Sequence, residues 1–274
     1  MAIFFVALAL MAASTPDAHA AEGPVSVAIE IVKPGREGLE FSAHLAGAGG
    51  TITRGISWTI STADGEDIYS GNAPSADVVT PPGDYVVNVQ FGSGRLTRLV
   101  SLPEGCRLRI DFALNAGGLR IVPRAGGAPL PAGGARIRVF TLQDGQPNRR
   151  MAINATAGEI LPLPEGRYRV ESQVGDGNAK AVADVAVRAG SLSTVEIGHK
   201  AGIARLSLSG ASPAKTEWTV EDANGRPVAS RDGAEASVIL APGNYTATAK
   251  TGVGTLTKTF SVAAGRSRDV ILGD

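Results

Sequence analysis

The chain has 274 residues, enough for two or three small domains, and it is rich in turn-forming residues, with 35 glycines and 16 prolines. Its 26 basic and 26 acidic side chains give a formal net charge of zero, so it lacks the basic excess that nucleic-acid binding requires. The single cysteine, Cys106, excludes an intrachain disulfide and a thiolate metal cluster.

Residues 1–20 are predicted to be a secretory signal peptide. An apolar run over residues 3–13 is followed by polar residues up to Asp17 and by the small-x-small sequence Ala18-His19-Ala20. A membrane anchor is the alternative, but spanning a bilayer takes about 20 apolar residues and Asp17 interrupts the run sooner. We expect a mature chain that starts at Ala21, has no membrane span, and is periplasmic or secreted.

Residues 21–37 are predicted to be an N-terminal strand and a join. Residues 25–32 resemble the strands that close the later copies of the repeat, and Pro34-Gly35 follows them. Because bare sheet edges invite aggregation, we expect this strand to cover an exposed edge of the first sandwich.

Three series of landmarks divide the remaining sequence into three tandem copies. Turn dipeptides at Asp64-Gly65, Asp144-Gly145 and Asn224-Gly225 are spaced by 80 and 80 residues. Gly-x-Tyr turns lead into Tyr85, Tyr168 and Tyr245, and Gly-x-Gly sequences follow at 92–94, 175–177 and 252–254; both series are spaced by 83 and 77. We therefore predict three modules, at residues 38–117, 118–201 and 202–274, joined without linkers.

Each copy has the pattern of a β-sandwich. In the third copy, short strand-like runs alternate with turns every eight to twelve residues, which indicates seven strands. Asn224-Gly225 predicts a hairpin with a type I′ turn, in which both residues have positive φ. Because a helical period is missing, the chain is predicted to be all-β, with three tandem seven-stranded Ig-like or transthyretin-like sandwiches after the signal peptide.

The repeated glycines and aromatics admit a functional and a structural interpretation. The Gly-x-Gly sequences could cradle phosphate, but each lies between two strands rather than before a helix, so hairpins explain all three. The three repeated tyrosines could stack on sugars or bases. Their recurrence instead favours core side chains whose hydroxyls reach nearby backbone, and the same holds for Trp58 and Trp218.

No catalytic or metal-binding residue is predicted. His44 and His199, the mature chain's histidines, occupy different points of the repeat without accompanying ligands, and we expect both at the surface or in loops. The acidic sequence Asp64-Gly65-Glu66-Asp67 could bind calcium, but its equivalents lose the charge, so an ordinary turn is expected.

Two further sequence features are not interpreted as functional sites. Asn154 and Asn244 match the N-glycosylation pattern and are interpreted as chance matches. Cys106 follows the turn at Glu104-Gly105 and is expected to be an exposed thiol.

Residues 161–170 (LPLPEGRYRV) and 240–247 (LAPGNYTA) resemble carboxypeptidase-regulatory-like, or transthyretin-like, and bacterial Ig-like modules. The resemblance covers nearly all of the mature sequence and rests on turn motifs. It implies a seven-stranded sandwich that serves as a spacer or interaction module, and it carries over no catalytic residue.

We therefore expect an exported, non-enzymatic structural or protein-interaction module of the bacterial cell envelope that needs no cofactor. Its expected partner is another envelope protein, bound most simply by strand addition at a sheet edge. A carbohydrate-binding accessory protein is the alternative, with a glycan as its ligand. It is disfavoured because few aromatic side chains remain once the predicted cores are filled.

Overall fold

The computed structural model describes residues 25–48, 50–125, 128–130, 133–153, 155–175, 177–210 and 215–273. Within these ranges the protein forms 23 β-strands and no helix, which confirms the all-β prediction. None of the residues in these ranges therefore forms a helix that could cross a membrane. The predicted signal peptide and Asn154 lie outside the described residues.

The strands follow the repeat. Before and within the first copy they are β1 (Val25–Ile31), β2 (Gly38–Leu45), β3 (Ile56–Thr62), β4 (Asp67–Gly71), β5 (Ala76–Val79), β6 (Gly83–Phe91), β7 (Gly94–Leu102) and β8 (Cys106–Leu114). The second copy contains β9 (Ala116–Ala125), β10 (Ala128–Pro129), β11 (Ala135–Gln143), β12 (Gln146–Ile153), β13 (Ile160–Pro164), β14 (Gly166–Val174), β15 (Ala179–Val187) and β16 (Leu192–His199). The third contains β17 (Gly202–Leu208), β18 (Glu217–Asp222), β19 (Pro227–Asp232), β20 (Ala236–Leu240), β21 (Gly243–Thr251), β22 (Gly254–Val262) and β23 (Ser267–Leu272).

All three copies share one strand order. In one sheet, the first strand of each copy has two neighbours: the last strand of the copy and the strand that precedes the Gly-x-Tyr turn. The strand orders are β5-β2-β8, β13-β9-β16 and β20-β17-β23. The other sheet has the orders β4-β3-β6-β7, β12-β11-β14-β15 and β19-β18-β21-β22. The first and last strands of the copy pair in parallel in β2–β8 and β17–β23.

The core of the first copy lies between its two sheets. Along β6 the buried side chains alternate with more exposed ones, as expected when one face of a strand is covered. Phe41 and Phe112 from one sheet meet Trp58 from the other, with ring centroids 5.8 Å from the indole in both cases. Both sheets thus contribute to one hydrophobic cluster, and the copy is a β-sandwich.

The third copy repeats this arrangement. Trp218 and Val220 on β18 and Tyr245 on β21 pack with Leu206 and Leu240 from the other sheet. Repeated sandwich units thus account for the fold, as the sequence predicts.

The chain divides into two compact units. The first comprises Met1–Leu119, Ile160–Arg167 and Ala186–Ser193, and the second comprises Arg120–Glu159, Tyr168–Val185 and Thr194–Asp274. Residues of the second copy contribute to both units. The division at 117/118 and 201/202 rests on the sequence repeat and stays a prediction.

The N-terminal strand pairs as expected with an edge of the first sandwich. β1 runs antiparallel to β8, from Val25 opposite Phe112 to Ile31 opposite Cys106. Cys106 is therefore the first residue of a strand that has a neighbour on each side, and its half-buried side chain packs against the first core. The expectation of an exposed thiol is wrong.

The dipeptide turns all form hairpins, but their geometry differs. Asp144 and Gly145 have φ of 50° and 75°, which fits a type I′ turn. In the dipeptide of the third copy, Gly225 has a positive φ of 73° but Asn224 does not, so the type I′ prediction is wrong there. The reason is Asp222, whose Oδ1 accepts hydrogen bonds from the backbone N–H groups of Arg226 and Asn224 and closes a longer loop. These bonds also lower the pKa of Asp222.

Candidate functional site

The repeated tyrosines belong to the cores, as predicted. Tyr85, Tyr168 and Tyr245 are at most 4% exposed. The Tyr85 hydroxyl donates to the Pro81 carbonyl at 2.5 Å, and the Tyr245 hydroxyl donates to the Ala241 carbonyl at 2.7 Å. Burial raises the pKa of Tyr168 to about 12. These side chains fix the Gly-x-Tyr turns and present no face to a ligand.

The two tryptophans are likewise equivalent core residues. Each is 1% exposed. Nε1 of Trp58 donates to the Ala73 carbonyl at 3.0 Å, and Nε1 of Trp218 donates to the Gly233 carbonyl at 2.9 Å. Both bonds join residues 15 apart at the same point of the repeat, so the tryptophans anchor the loops beside them.

The polar candidates are not brought together into a reactive site. His44 lies on β2, where its Nδ1 is 2.8 Å from Oδ2 of Asp111. His199 is 6% exposed on β16 and its Nδ1 lies 3.2 Å from the Arg124 carbonyl oxygen, so its placement at the surface or in a loop is wrong. Asp64 and Glu66 lie in the loop between β3 and β4, where the Glu66 backbone N–H bonds to the Thr62 hydroxyl. Across the described ranges, no three His, Cys, Asp or Glu side chains are placed to share a metal ion.

The Gly-x-Gly sequences form the hairpin tips between the last two strands of the second sheet, as predicted. We call residues 92–94, 175–177 and 252–254 tip 1, tip 2 and tip 3. The three residues that end one residue before each Gly-x-Tyr turn are called receiving segments: 79–81 is segment 1, 162–164 is segment 2 and 239–241 is segment 3. The spacing of the repeat makes the three tips equivalent, and likewise the three segments.

In the first compact unit, tip 1 packs on segment 2. A Cβ on Gly92 would lie 2.6 Å from the carbonyl oxygen of Pro162, closer than any real side chain is found. A Cβ on Gly94 would lie 3.5 Å from Cγ of Pro164. Gly92 therefore does more than turn the chain, because its missing side chain lets the hairpin touch the backbone of the next copy, whereas a Cβ on Gly94 would make an ordinary contact.

In the second compact unit, tip 2 packs on segment 3 in the same way. A Cβ on Gly175 would lie 3.0 Å from Cβ of Ile239, and one on Gly177 would overlap the Ile239 carbonyl oxygen. Asn178, just after the tip, adds a polar clamp. Its Oδ1 accepts from the Ala241 backbone N–H at 3.0 Å, and its Nδ2 donates to the Tyr245 hydroxyl at 3.1 Å.

Replacing Asn178 with alanine is expected to lower the free energy of unfolding by about 1–3 kcal/mol, because the half-buried Ala241 N–H loses its acceptor. Urea unfolding followed by circular dichroism measures the change. Thr255 occupies the equivalent position after tip 3 and is exposed, so Thr255→Ala is the matched control and should change stability by less than about 0.5 kcal/mol. Equal effects of the two substitutions would contradict the clamp.

Tip 3 has no such partner among the described residues. A Cβ on Gly252 or Gly254 would meet no atom within 4 Å. Val253 between them is 95% exposed, and Leu256 is 41% exposed, whereas the equivalent Leu96 and Ala179 are each 1% exposed. Val253 of tip 3 and Leu256, two residues beyond the tip, therefore present apolar side chains to solvent.

Segment 1 is more exposed than its equivalents, segments 2 and 3. Val79 is 66% exposed and Pro81 is exposed, whereas the equivalents Pro162 and Ile239 are half-buried and Pro164 is buried. A cavity of about 410 Å³ lies against this segment and is also lined by Glu37 and Glu104.

Glu37 is a buried carboxylate among the residues that line this cavity. It is 6% exposed, and its Oε2 accepts from the Gly35 backbone N–H at 2.6 Å. Backbone hydrogen bonds, from its own N–H first and from Gly35 and others after it, lower the pKa of this carboxyl. The carboxylate is therefore held by backbone N–H groups, and Val79 and Pro81 are the exposed apolar residues beside it.

The sequence pattern predicts the three tips but not the segments that two of them contact. The signal was present in the second glycine of each Gly-x-Gly, since a hairpin needs only one, and in the apolar residue at each of the equivalent positions 79, 162 and 239. The receiving segment that a tip contacts is set by the packing between copies, and a local sequence pattern does not predict that packing.

Comparison with known proteins gives the following similarities. The model of a family described as the Rhizobiales growth-associated tandem repeat domain matches residues 207–272, most of the third copy. No curated protein matches the sequence.

Three solved structures are among those to which the chain is similar. The Bacillus anthracis TIE protein is 14% identical over 86% of this chain and 50% of that one, with a TM-score of 0.27. The minor pilin of Streptococcus agalactiae is 16% identical over 60% of this chain and 95% of that one, with a TM-score of 0.28. The major pilin subunit of Bacillus cereus is 9% identical over 87% of this chain and 99% of that one, with a TM-score of 0.22. This chain spans half the length of the TIE protein.

Proposed function

We propose that this chain is an exported, non-enzymatic structural or protein-interaction module of the bacterial cell envelope, located in the periplasm or secreted. The observation that carries the proposal is the joint that recurs in both compact units. There the glycines of tips 1 and 2, which the repeat preserves, lie against the next copy, and in the second unit the Tyr245 hydroxyl also accepts a hydrogen bond from Asn178. Their role is packing, and they bring no reactive group to a cleft.

The burial of the aromatic residues argues against the alternative of a carbohydrate-binding accessory protein. Stacking on a sugar needs an exposed ring face, and the five repeated Trp and Tyr side chains are at most 4% exposed. No specific observation favours a glycan ligand.

The finer assignments belong to the same proposal. Modules at 38–117, 118–201 and 202–274 are supported by the equal strand orders of the three copies. Kinship with carboxypeptidase-regulatory-like or transthyretin-like modules is supported by the turn sequences at 161–170 and 240–247.

Export is tested by expressing the chain, from Met1, in a bacterium that has a periplasm. We expect the protein in the periplasm or medium with Ala21 as its first residue, as measured by intact mass after fractionation. Ala20→Arg removes the small residue before the proposed cleavage point and should leave residues 1–20 attached. Recovery of the unchanged chain with Met1 in the cytoplasm would contradict export. Turnover of a substrate that a point variant abolishes would contradict the non-enzymatic assignment.

A further inference from the structure

We infer that molecules of this protein associate head to tail, with tip 3 of one molecule docked on segment 1 of a second copy of the same chain. This inference extends the proposed function by naming the partner and the two surfaces. It starts from the joint that the chain makes twice within itself. Each time a glycine hairpin tip lies against a receiving segment in the next copy of the repeat.

The two surfaces that remain open are the matching halves of a third joint. Tips 1 and 2 and segments 2 and 3 are used within the chain. Among the described residues, a Cβ on either glycine of tip 3 would meet no atom within 4 Å, and Val79 and Pro81 of segment 1 are exposed. Because the repeat makes all tips equivalent and all segments equivalent, one molecule offers both a tip and a segment of the kinds that pair inside it.

The sequence of tip 3 fits contact with a partner rather than with solvent alone. Gly252 is not in the left-handed region and would meet nothing within 4 Å, so neither its backbone conformation nor its packing in the single chain requires glycine. At the equivalent places, Gly92 and Gly175 have φ of 58° and 64° and also lie against a receiving segment, so both backbone conformation and contact favour glycine there. Glycine at 252 is explained if this tip also approaches a backbone closely.

The residue at the centre of the tip supports the same pairing. Tips 1 and 2 have Ser93 and Asp176 there, and both of these tips are tethered to their partners by the chain itself. Tip 3 has Val253, 95% exposed, with Leu256 beside it along the strand. An association without a tether needs more buried apolar area to offset the loss of translational freedom, and these two side chains supply it.

Segment 1 provides a complementary apolar surface. Val79 and Pro81 correspond to Pro162 and Pro164, the residues that tip 1 contacts, and both are exposed. The two surfaces differ from each other, so the interface is heterologous. Each molecule added then leaves one tip and one segment open, and association continues beyond the dimer unless a ring closes.

The test is sedimentation of the purified chain 21–274 over a wide range of concentrations. We expect the weight-average mass of the wild type to rise with concentration beyond that of a dimer. Val253→Asp and Val79→Asp each remove one surface and should remain monomeric over the same range. Val182→Asp, at a 57% exposed valine on β15, is the matched control and should associate like the wild type.

Mixing the two variants that do not associate on their own tests whether tip 3 of one molecule binds segment 1 of another. Val253→Asp keeps an intact segment 1 and Val79→Asp keeps an intact tip 3, so an equimolar mixture should form 1:1 dimers and nothing larger. A photo-crosslinker at residue 253 should label the peptide that contains residues 79–82 of another molecule. A mixture that stays monomeric, variants that still associate, or a crosslink elsewhere would each overturn the inference.

The experiments distinguish an absence of head-to-tail association from an absence of export. A processed periplasmic protein that remains monomeric at all concentrations would overturn head-to-tail association and leave the envelope function standing. A self-associating protein that stays unprocessed in the cytoplasm would overturn the envelope function and leave head-to-tail association standing.

Discussion

Replacing Trp58 with alanine is expected to lower the free energy of unfolding by about 3–5 kcal/mol, the usual cost of removing a large aromatic side chain from a core. The indole is 1% exposed and lies 5.8 Å, centroid to centroid, from both Phe41 and Phe112, which come from the facing sheet. The substitution therefore opens a cavity between the two sheets and also leaves the Ala73 carbonyl without its donor.

Urea unfolding of chain 21–274, followed by far-ultraviolet circular dichroism, measures this loss. The fit must allow more than one transition, because the chain has two compact units. Trp58→Phe retains a ring but not the N–H donor, so it should lose less than the alanine variant. A loss under about 1 kcal/mol for Trp58→Ala would mean that the indole is not part of the core.

Replacing Gly92 with alanine is expected to lower the free energy of unfolding by about 2–4 kcal/mol. Gly92 has φ of 58°, where a Cβ costs about 1–2 kcal/mol, and the added methyl group would lie 2.6 Å from the Pro162 carbonyl oxygen. Relieving that overlap requires the tip to move away from segment 2, at a further cost of about 1–2 kcal/mol.

The repeat supplies a matched control for this substitution. Gly252 is the equivalent glycine of tip 3, but it lacks a positive φ and would meet no atom within 4 Å. Gly252→Ala should therefore change the unfolding free energy of the dilute monomer by less than about 0.5 kcal/mol. Equal losses for the two variants would show that the glycines serve only the hairpins and that no joint forms at Gly92.

The strands and hairpins could be predicted from the sequence because their determinants are local. Tyr85, Val87 and Val89 alternate with more exposed residues along β6, and Tyr245 and Ala247 do so along β21. Gly-x-Gly turns lie between strands in all three copies, and the pairing of β1 with β8 follows from its likeness to a closing strand. These patterns need no knowledge of the rest of the molecule.

Details that depend on competing contacts could not be predicted in this way. Asn224 tolerates a positive φ, but the Asp222 carboxylate competes for the backbone N–H groups and selects another turn. His199 looks like a surface residue by type, yet β16 places it beside the Arg124 carbonyl in a buried position. The joints were missed for the same reason, since Gly92 and Pro162 are 70 residues apart and meet only in the folded chain.

The parallel pairing of first and last strands gives each of these sandwiches a mechanical property. β2 and β8 are paired in register from Gly38 opposite Arg107 to Leu45 opposite Leu114, and β17 and β23 pair likewise over six residues. Tension that pulls the start of the first strand away from the end of the last strand loads all hydrogen bonds of such a pair in shear at once. Rupture must then break the whole ladder together rather than bond by bond, so these copies are built to resist stretching along the chain.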